Sequence, residues 1–244
     1  MNPLSIQLYT IREDLTRENT PEMMQALRDF GYGAVEGIAP GYEAGEFRAL
    51  LNELGMCVSS IYGPIPTAEN LQSLVDQLGA AGTDILTGGF WYQDFETEDA
   101  VRATADKLQW GIDALAQHGI RYAMHNHWME LYPLGDRLVL DRLVELVPSL
   151  RLELDIYWAS NFGAQDSVEI ATRFADRILT LHVKDGPLIQ DAPMVALGQG
   201  KVDVLGCIRA TNPEWLIVEL DHFDGRMLDA VRDSAAYLKS HGLA

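Results

Sequence analysis

A regular alternation of short β-rich runs with amphipathic helical stretches constrains the fold more than any other feature of the sequence. Eight candidate strands can be assigned: Leu4–Tyr9, Ala34–Ile38, Met56–Tyr62, Asp84–Gly88, Ile120–His125, Arg151–Ile156, Ile178–Lys184 and Trp215–Asp221. The chain length gives each unit about 30 residues, which is enough for one strand, one helix and two loops. Strands that alternate with helices predict a parallel sheet.

The signals between the strands predict where the helices begin and end. Thr20, Thr67 and Thr97 begin cap-then-acid segments, and Gly31, Gly55, Gly82 and Gly119 each stand just before a strand. No linker interrupts this pattern, and eight parallel strands can close into a barrel. We therefore predict an α/β protein with one domain over residues 1–244, a single (β/α)8 TIM barrel. The alternative is an open doubly wound sheet, but no GxGxxG or GxxxxGK[ST] motif follows the first strand.

Polar side chains concentrate on one face of the last four strands. Residues two apart share a face, and because the apolar face must meet the helices, the polar face points into the barrel. The inward set consists of Arg121, His125, His127, Glu153, Asp155, Thr180, His182, Lys184, Glu219 and Asp221. The same alternation turns Gln7, Tyr9 and Glu36 inward.

These buried charges require an explanation, because barrel interiors are normally apolar and an unpaired buried carboxylate is costly. The five inward carboxylates are opposed by Arg121 and Lys184, so five negative less two positive leaves three negative charges. A divalent cation would reduce that excess to one. His125, Asp155, His182 and Glu219 fall near the C-terminal ends of their strands, where barrel enzymes place their sites. Imidazole and carboxylate donors suit Mn, Zn, Co or Fe better than Mg.

Six motifs occur in order along the chain: SIQLYTIRED, MHNHWMEL, LELDIYWAS, LHVKD, GQGKVD and IVELD. Together they resemble the xylose isomerase-like TIM barrel superfamily, in particular its sugar phosphate isomerase/epimerase branch, which includes inosose dehydratase-like proteins. The resemblance covers essentially the whole chain. It implies one divalent metal, with Mn as the preferred ion, and isomerisation, epimerisation or dehydration next to a carbonyl.

Carried over by position, the resemblance implies that Asp155, His182 and Glu219 are metal ligands. Many members have a glutamate on strand five, where this sequence has His125 in a His-Asn-His motif. Either His125 replaces that glutamate, or Glu130 reaches back from the loop. We favour His125 as the ligand, with His127 and Glu130 lining the substrate site.

The remaining site assignments concern catalysis and substrate binding. Glu219 is the expected base, with His127 and Glu130 on the acid side. Lys184 is expected to bind a substrate oxygen or to neutralise Asp155 or Glu153, and the sequence does not separate these roles. The predicted substrate-binding residues are Gln7, Tyr9, Glu36, Trp91, Trp158 and Lys184. The glycine-rich loop at 198–201 could close over substrate or simply form a turn.

Composition excludes some classes of partner. A formal net charge of -18 and a sparse set of 18 Lys and Arg oppose nucleic-acid binding. No run is long enough to span a membrane, and MNPLSIQLYT has no signal-peptide pattern, so a cytoplasmic location is expected. Cys57 and Cys207 lack metal or disulfide spacing. The sequence leaves a homo-oligomer open.

The preferred function is a divalent-metal-dependent isomerase, epimerase or dehydratase that abstracts an α-proton from a small sugar, sugar phosphate, inosose or keto-sugar. One alternative is a phosphodiester hydrolase of the abasic-site endonuclease type, which usually needs more metal ligands than the 6 histidines here suggest. The other is a sugar-binding barrel without turnover.

Overall fold

The structure, a computed structural model, describes residues 3–243. Its barrel strands are β1 (Leu4–Gln7), β2 (Ala34–Glu36), β3 (Cys57–Tyr62), β4 (Ile85–Gly88), β5 (Arg121–His125), β6 (Arg151–Asp155), β7 (Ile178–Val183) and β8 (Trp215–Val218). All neighbouring strands are parallel and follow sequence order around the barrel. Ser5 of β1 is in register with both Ala34 and Ile217, which closes the sheet. The predicted α/β fold, a single (β/α)8 barrel, is confirmed.

Helices surround the barrel and connect its strands. They are α1 (Thr20–Phe30), α2 (Ala44–Glu53), α3 (Leu71–Ala81), α4 (Glu98–Ala116), α5 (Val139–Leu146), α6 (Ile156–Ala159), α7 (Ser167–Arg173), α8 (Val204–Ala210) and α9 (Met227–Ser240). The sixth unit contains two of them, α6 and α7. A short antiparallel hairpin, Pro133–Leu134 with Arg137–Leu138, precedes α5. Within residues 3–243, no helix combines the length and apolarity that a membrane span requires.

The predicted helix ends are correct more often than the predicted starts. All four glycines adopt positive φ just past a helix: Gly31, Gly55, Gly82 and Gly119. Thr97 caps α4 by accepting a hydrogen bond from Ala100 N. Thr20 and Thr67 are not caps, because α1 and α3 follow Asn19 and Asn70 instead.

Five of the eight strands, β1, β2, β6, β7 and β8, are shorter at their upper, C-terminal ends than the alternation predicts. β1 stops at Gln7 because its side-chain Oε1 accepts a hydrogen bond from Tyr9 N, which starts a 3-10 turn over Leu8–Ile11. Lys184 and Asp221 likewise lie just past their strands. These residues therefore stand on the upper rim of the barrel, where side chains from different strands converge.

The barrel interior changes from apolar to polar along its axis. Ile85, Ala123 and Leu179 form a small apolar cluster separate from the main core, which fills the layer between the sheet and the helices. Two buried carboxyl side chains, Glu36 and Glu153, lie inside the barrel with hydroxyl partners. The ionisable residues of the candidate site belong to this polar part.

Arg121 corrects the predicted charge balance. It shares the inward parity of His125, but it lies at the lower mouth, formed by the N-terminal ends of the strands. There its guanidinium pairs with Asp84 (Nε to Oδ2, 2.9 Å) and with Glu214, and its side chain is 39% exposed. Arg121 therefore neutralises none of the buried carboxylates. Of the two cations predicted to balance them, Lys184 alone lies beside them.

Candidate active site

Four metal-ligand side chains converge at the upper end of the barrel. His125 ends β5, Asp155 ends β6, His182 is the penultimate residue of β7, and Glu219 directly follows β8. Each offers one ligand atom, and these four atoms lie within 4.8 Å of one another. All four residues are buried. The parallel barrel brings them together because the ends of neighbouring strands meet at one rim.

His182 stands between two layers of carboxylates. Its Nδ1 is 2.7 Å from Glu219 Oε2, and its Nε2 is 2.7 Å from Glu36 Oε2. Burial alone would lower the pKa of this imidazole, but the nearby Glu153, Glu36 and Glu219 hold its pKa well above the usual value. Without a metal, a proton on His182 therefore neutralises part of the cluster.

Lys184 is the other positive charge of this cluster. Its Nζ lies 2.8 Å from Glu219 Oε2, 2.8 Å from Asp221 Oδ2 and 2.9 Å from Asp155 Oδ2. Burial opposes the charge, but Asp155, Asp221 and Glu219 outweigh it and raise the pKa of Lys184 well above its usual value. Burial would also raise the pKa of Glu219, yet Lys184 and His182 hold that pKa well below its usual range.

Asp155 uses its two oxygens differently. Oδ1 accepts hydrogen bonds from Tyr157 N and Trp158 N, both at 2.9 Å, and so caps α6. Oδ2 is fully buried and accepts no hydrogen bond of good geometry, although it is close to Lys184 Nζ. Burial raises the pKa of Asp155 to about 6, against the opposing effect of Lys184. The hydrogen bonds of Oδ1 thus fix the orientation of the carboxylate, while Oδ2 keeps a lone pair that accepts no hydrogen bond.

A second carboxylate layer supports the first from below. Glu36 accepts hydrogen bonds from Gln7 Nε2 (2.8 Å), Ser60 Oγ (2.9 Å) and Thr87 Oγ1 (2.9 Å). Glu153 Oε1 accepts from Thr180 Oγ1 at 2.9 Å. Burial, followed by the repulsion of Glu153, raises the pKa of Glu36. Glu36 therefore orients His182 from below, whereas the sequence analysis placed it in contact with substrate.

His125 and Glu130, the two candidate ligands at and after the end of β5, occupy different positions. His125 belongs to the four-residue group, while Glu130 Oε2 accepts a hydrogen bond from His127 N at 3.0 Å. Glu130 is fully buried, its Oε1 has no hydrogen-bond partner, and burial raises its pKa to about 8. Burial also lowers the pKa values of His125 and His127 to about 3, so both rings are neutral.

Asn126, which the sequence analysis did not assign, connects the ends of β5 and β6. Its Oδ1 accepts a hydrogen bond from Asp155 N at 2.9 Å, and its Nδ2 donates to Asp155 O at 3.3 Å. The His-Asn-His motif could have indicated this role, but strand alternation turns its central residue away from the barrel interior. Asn126 fixes the backbone that carries Asp155.

A cavity of about 620 Å³ opens above the cluster. Of the residues assigned from sequence, it is lined by Gln7, Tyr9, Trp91, His125, His127, Trp158, His182 and Glu219. Four others assigned from sequence are not among its lining residues: Glu36, Glu130, Asp155 and Lys184. The carboxyl group of Glu130 turns back to the chain at His127, and its expected role in the substrate site stays a prediction. Tyr62 at the end of β3 also lines the cavity, and its position at a strand end could have indicated this.

The glycine-rich loop after β7 is held in place from below. Asp185 is buried, and its carboxylate accepts hydrogen bonds from four backbone N–H groups, those of Gly186, Gly198, Gly200 and Val202. A Cβ atom on Gly200 would lie 2.1 Å from Asp185 Oδ1, so only glycine fits there. The loop is an ordered turn around Asp185 in this structure.

The donor set fits a divalent cation. Two imidazoles and two carboxylates suit Mn, Zn, Co or Fe, and Asp155 Oδ2, which is close to Lys184 Nζ but accepts no hydrogen bond of good geometry, has a lone pair available to a cation. A cation that bound His182 would displace the proton which that imidazole holds, because a ligating nitrogen must be deprotonated.

Solved structures of similar fold include proteins described as an isomerase/epimerase, a dehydratase and a zinc-binding protein. A sugar phosphate isomerase/epimerase from Parabacteroides distasonis ATCC 8503 is 20% identical, with a TM-score of 0.80 over 99% of this chain and 95% of that chain. The probable 3-DHS dehydratase AsbF from Bacillus anthracis is 15% identical, with a TM-score of 0.76 over 97% and 98%. An IOLI protein with a binding zinc atom is 13% identical, with a TM-score of 0.73 over 100% and 98%.

These identities are low enough that each likeness establishes the fold alone. No curated protein matches the chain by sequence. The family model described as xylose isomerase-like TIM barrel matches residues 24–241, which is most of the chain. The chain therefore belongs to the xylose isomerase-like TIM barrel family.

Proposed function

We propose that the protein is a divalent-metal-dependent isomerase, epimerase or dehydratase that removes an α-proton from a small polyhydroxylated carbonyl compound. The observation that carries the proposal is the convergence of His125, Asp155, His182 and Glu219 within 4.8 Å at the floor of the cavity. The fold relatives support this class, since they are described as an isomerase/epimerase and a dehydratase.

The metal would be held by the same four residues, with Mn as our first choice and Zn, Co, Fe or Mg as alternatives. The IOLI protein, which has a similar fold and is described with a binding zinc atom, supports a metal in such a barrel. When bound, a divalent cation polarises a carbonyl and lowers the pKa of the neighbouring C–H group. His125 is the strand-five ligand in this proposal, because it lies in the group to which Glu130 does not belong.

The chain's own residues would move the proton. Glu219 lines the cavity, is ionised, and accepts the α-proton while the C–H electron pair moves toward the carbonyl oxygen. Lys184 holds Glu219 and Asp155 in place and supplies positive charge beside the developing oxyanion. His127 is neutral and lines the cavity, so its ring N–H can protonate carbon or a leaving hydroxyl group, and the proton that Glu219 has taken up replaces the one that His127 gives. Return of the proton gives an isomer or epimer, and loss of hydroxide gives dehydration.

The alternatives have weaker support. A hydrolase of abasic nucleic acid would need cationic contacts to phosphates, and Arg12 is the one lysine or arginine among the lining residues of this cavity. A sugar-binding barrel without turnover would not need Glu219 to be ionised and free on its cavity side.

Deuterium exchange tests the proposal directly. Metal-replete protein should exchange an α C–H of at least one substrate with solvent deuterium across keto-sugars, inososes and keto-glycosides, and chelation should abolish the exchange. Glu219→Gln keeps an oxygen ligand but removes the base, so we expect metal retention with exchange reduced by at least about a hundredfold. Glu214→Gln, at the lower mouth, is the matched control. Absence of exchange with every compound would refute the proposed class.

A further inference from the structure

We propose that the cavity binds an uncharged two-ring compound, a polyhydroxylated carbonyl ring that carries a second ring, rather than a sugar phosphate. The inference rests on the proposed function for the identity of the first ring. Two further observations support the second ring and the absence of a charged group on the ligand. These are a side cavity that shares three lining residues with the main one, and the lack of any lysine or arginine in either that is free of protein partners.

The side cavity, called here the annex, has a volume of about 280 Å³. Three residues line both spaces, Trp128, Trp158 and Asp221, so the annex opens next to the metal-ligand cluster. Its other walls are largely apolar and include Phe162 and Ile189, the latter 57% exposed. An exposed isoleucine and a group of aromatic rings beside a polar cluster form the kind of wall on which an apolar ring packs.

The aromatic residues that line the two cavities form one contiguous group. The ring centroids of Trp128 and Trp158 are 5.0 Å apart, and Phe162 lies 5.5 Å from Trp128 and 5.9 Å from Trp158. Lys184 Nζ lies 5.2 Å from the Trp158 ring, which ties this wall to the cluster of the candidate active site. A ligand that reaches the cluster can therefore extend its second ring along the same wall.

The loops around the annex hold their shape at an energetic cost. The four non-glycine residues with positive φ in residues 3–243 all lie in the loops after β6 and β7: Asn161, Phe162, Leu188 and Asp191. Phe162 has a φ of 54°, which is unfavourable for a bulky side chain. Such conformations are energetically unfavourable and are concentrated at sites that hold ligands. The strained residues thus lie in the loops that form the walls of the annex.

Apart from the proposed metal, a phosphate group would find no free cation here. Among the described residues, no lysine or arginine lines the annex, and Arg12 is alone in the main cavity. Arg12 donates to Tyr9 O at 2.8 Å and to Asp221 O at 2.9 Å, pairs with Glu13, and stacks on the Tyr9 ring. Lys184 is already shared by three carboxylates. An added phosphate would instead meet Asp221 and Asp191.

The size of the cavity agrees with this substrate class. About 620 Å³ for the main space lies within the range of roughly 300–1,000 Å³ that accommodates drug-sized ligands, which are larger than one sugar ring. Three exposed aromatic residues, Tyr9, Tyr62 and Trp91, also line this space above the cluster. Their faces remain open to solvent until a ligand covers them.

Binding to three matched probes tests the inference without requiring turnover. The probes are 3-keto-glucose, its phenyl β-glycoside and its 6-phosphate, each titrated calorimetrically into manganese-loaded protein. We expect the phenyl glycoside to bind at least about tenfold more tightly than 3-keto-glucose, as one extra aromatic contact allows. The phosphate should bind more weakly than 3-keto-glucose. Equal affinities, tightest binding of the phosphate, or binding of none would overturn the inference.

A variant in the annex locates the second ring. Ile189→Asp should remove the advantage of the phenyl glycoside and leave the affinity for 3-keto-glucose within about twofold, since its ring would lie at the cluster. Trp110→Ala, which removes another exposed apolar side chain on α4, should change neither affinity. An unchanged phenyl advantage in Ile189→Asp would exclude the annex. Loss of deuterium exchange with the phenyl preference intact would refute the proposed function but not this ligand class.

Discussion

Each mouth of the barrel holds a lysine or arginine against carboxylates from the ends of other strands, but the two clusters differ in their access to water. At the lower mouth, Arg121 faces Asp84 and Glu214 with 39% of its side chain exposed. At the upper mouth, Lys184 faces Asp155, Glu219 and Asp221 with 1% exposed. The same chemical pairing therefore occurs once in solvent and once in the interior.

Burial changes what such a cluster does. Water screens the lower pairs, so each contributes little to stability and constrains no chemistry. In the upper cluster, desolvation makes every unneutralised carboxylate costly, and protons or cations must supply the missing charge. That requirement raises the pKa values of Lys184 and His182 and depresses that of Glu219. The upper cluster therefore has the buried, unbalanced charge that the proposed metal and proton transfer require, whereas the lower one lacks it.

The largest expected difference between the mouths follows removal of Lys184. Lys184→Met leaves three carboxylates around an apolar side chain, so we expect metal-free protein to lose about 3–5 kcal/mol of unfolding free energy. Urea denaturation in the presence of a chelator measures this loss. Manganese should restore part of it, since the cation would replace the missing charge. A loss no larger than that of Arg121→Met would contradict the role assigned to burial.

The next effect concerns metal binding at the upper mouth. His125→Ala removes a proposed ligand, so we expect the affinity for manganese to fall by at least about tenfold. Glu130→Ala should keep the affinity within about threefold, because Glu130 contacts the backbone of His127 and not the ligand group. Metal content after dialysis against a metal buffer provides the readout for both. If Glu130→Ala loses the metal while His125→Ala keeps it, the ligand assignment at strand five is reversed.

Much of the upper mouth could be predicted from sequence, and the lower mouth shows why the rest could not. Alternation along a strand states which face a side chain takes, so it placed His125, His182 and Glu219 together. It does not state depth. Arg121 and His125 have the same parity but lie four residues apart, which is about 13 Å along the strand. Arg121 was therefore counted as an interior charge although it reaches the opposite rim.

The alternation of side chains along the strands also does not predict contacts between loops. Glu130 and Asn126 lie in one short motif, yet which of them turns toward Asp155 depends on the turn after β5. The annex depends on Phe162 and Asp191 adopting left-handed backbone conformations, which no residue preference of a bulky side chain signals. The sequence thus predicted the barrel and its cluster, and three-dimensional packing was needed for the cavity above it.

The smallest expected effect follows removal of the exposed cation at the lower mouth. Arg121→Met keeps an apolar stem but removes the guanidinium from Asp84 and Glu214, both of which remain hydrated. We expect a loss of about 1 kcal/mol or less in urea denaturation at low salt, because exposed pairs are screened by solvent. The loss should shrink further near 1 M salt, where the screening length is about 3 Å. Manganese affinity and deuterium exchange should match the parent protein, because no metal-ligand residue touches Arg121. A loss that persists in high salt, or one that lowers manganese affinity, would show that the two mouths are coupled through the barrel rather than independent.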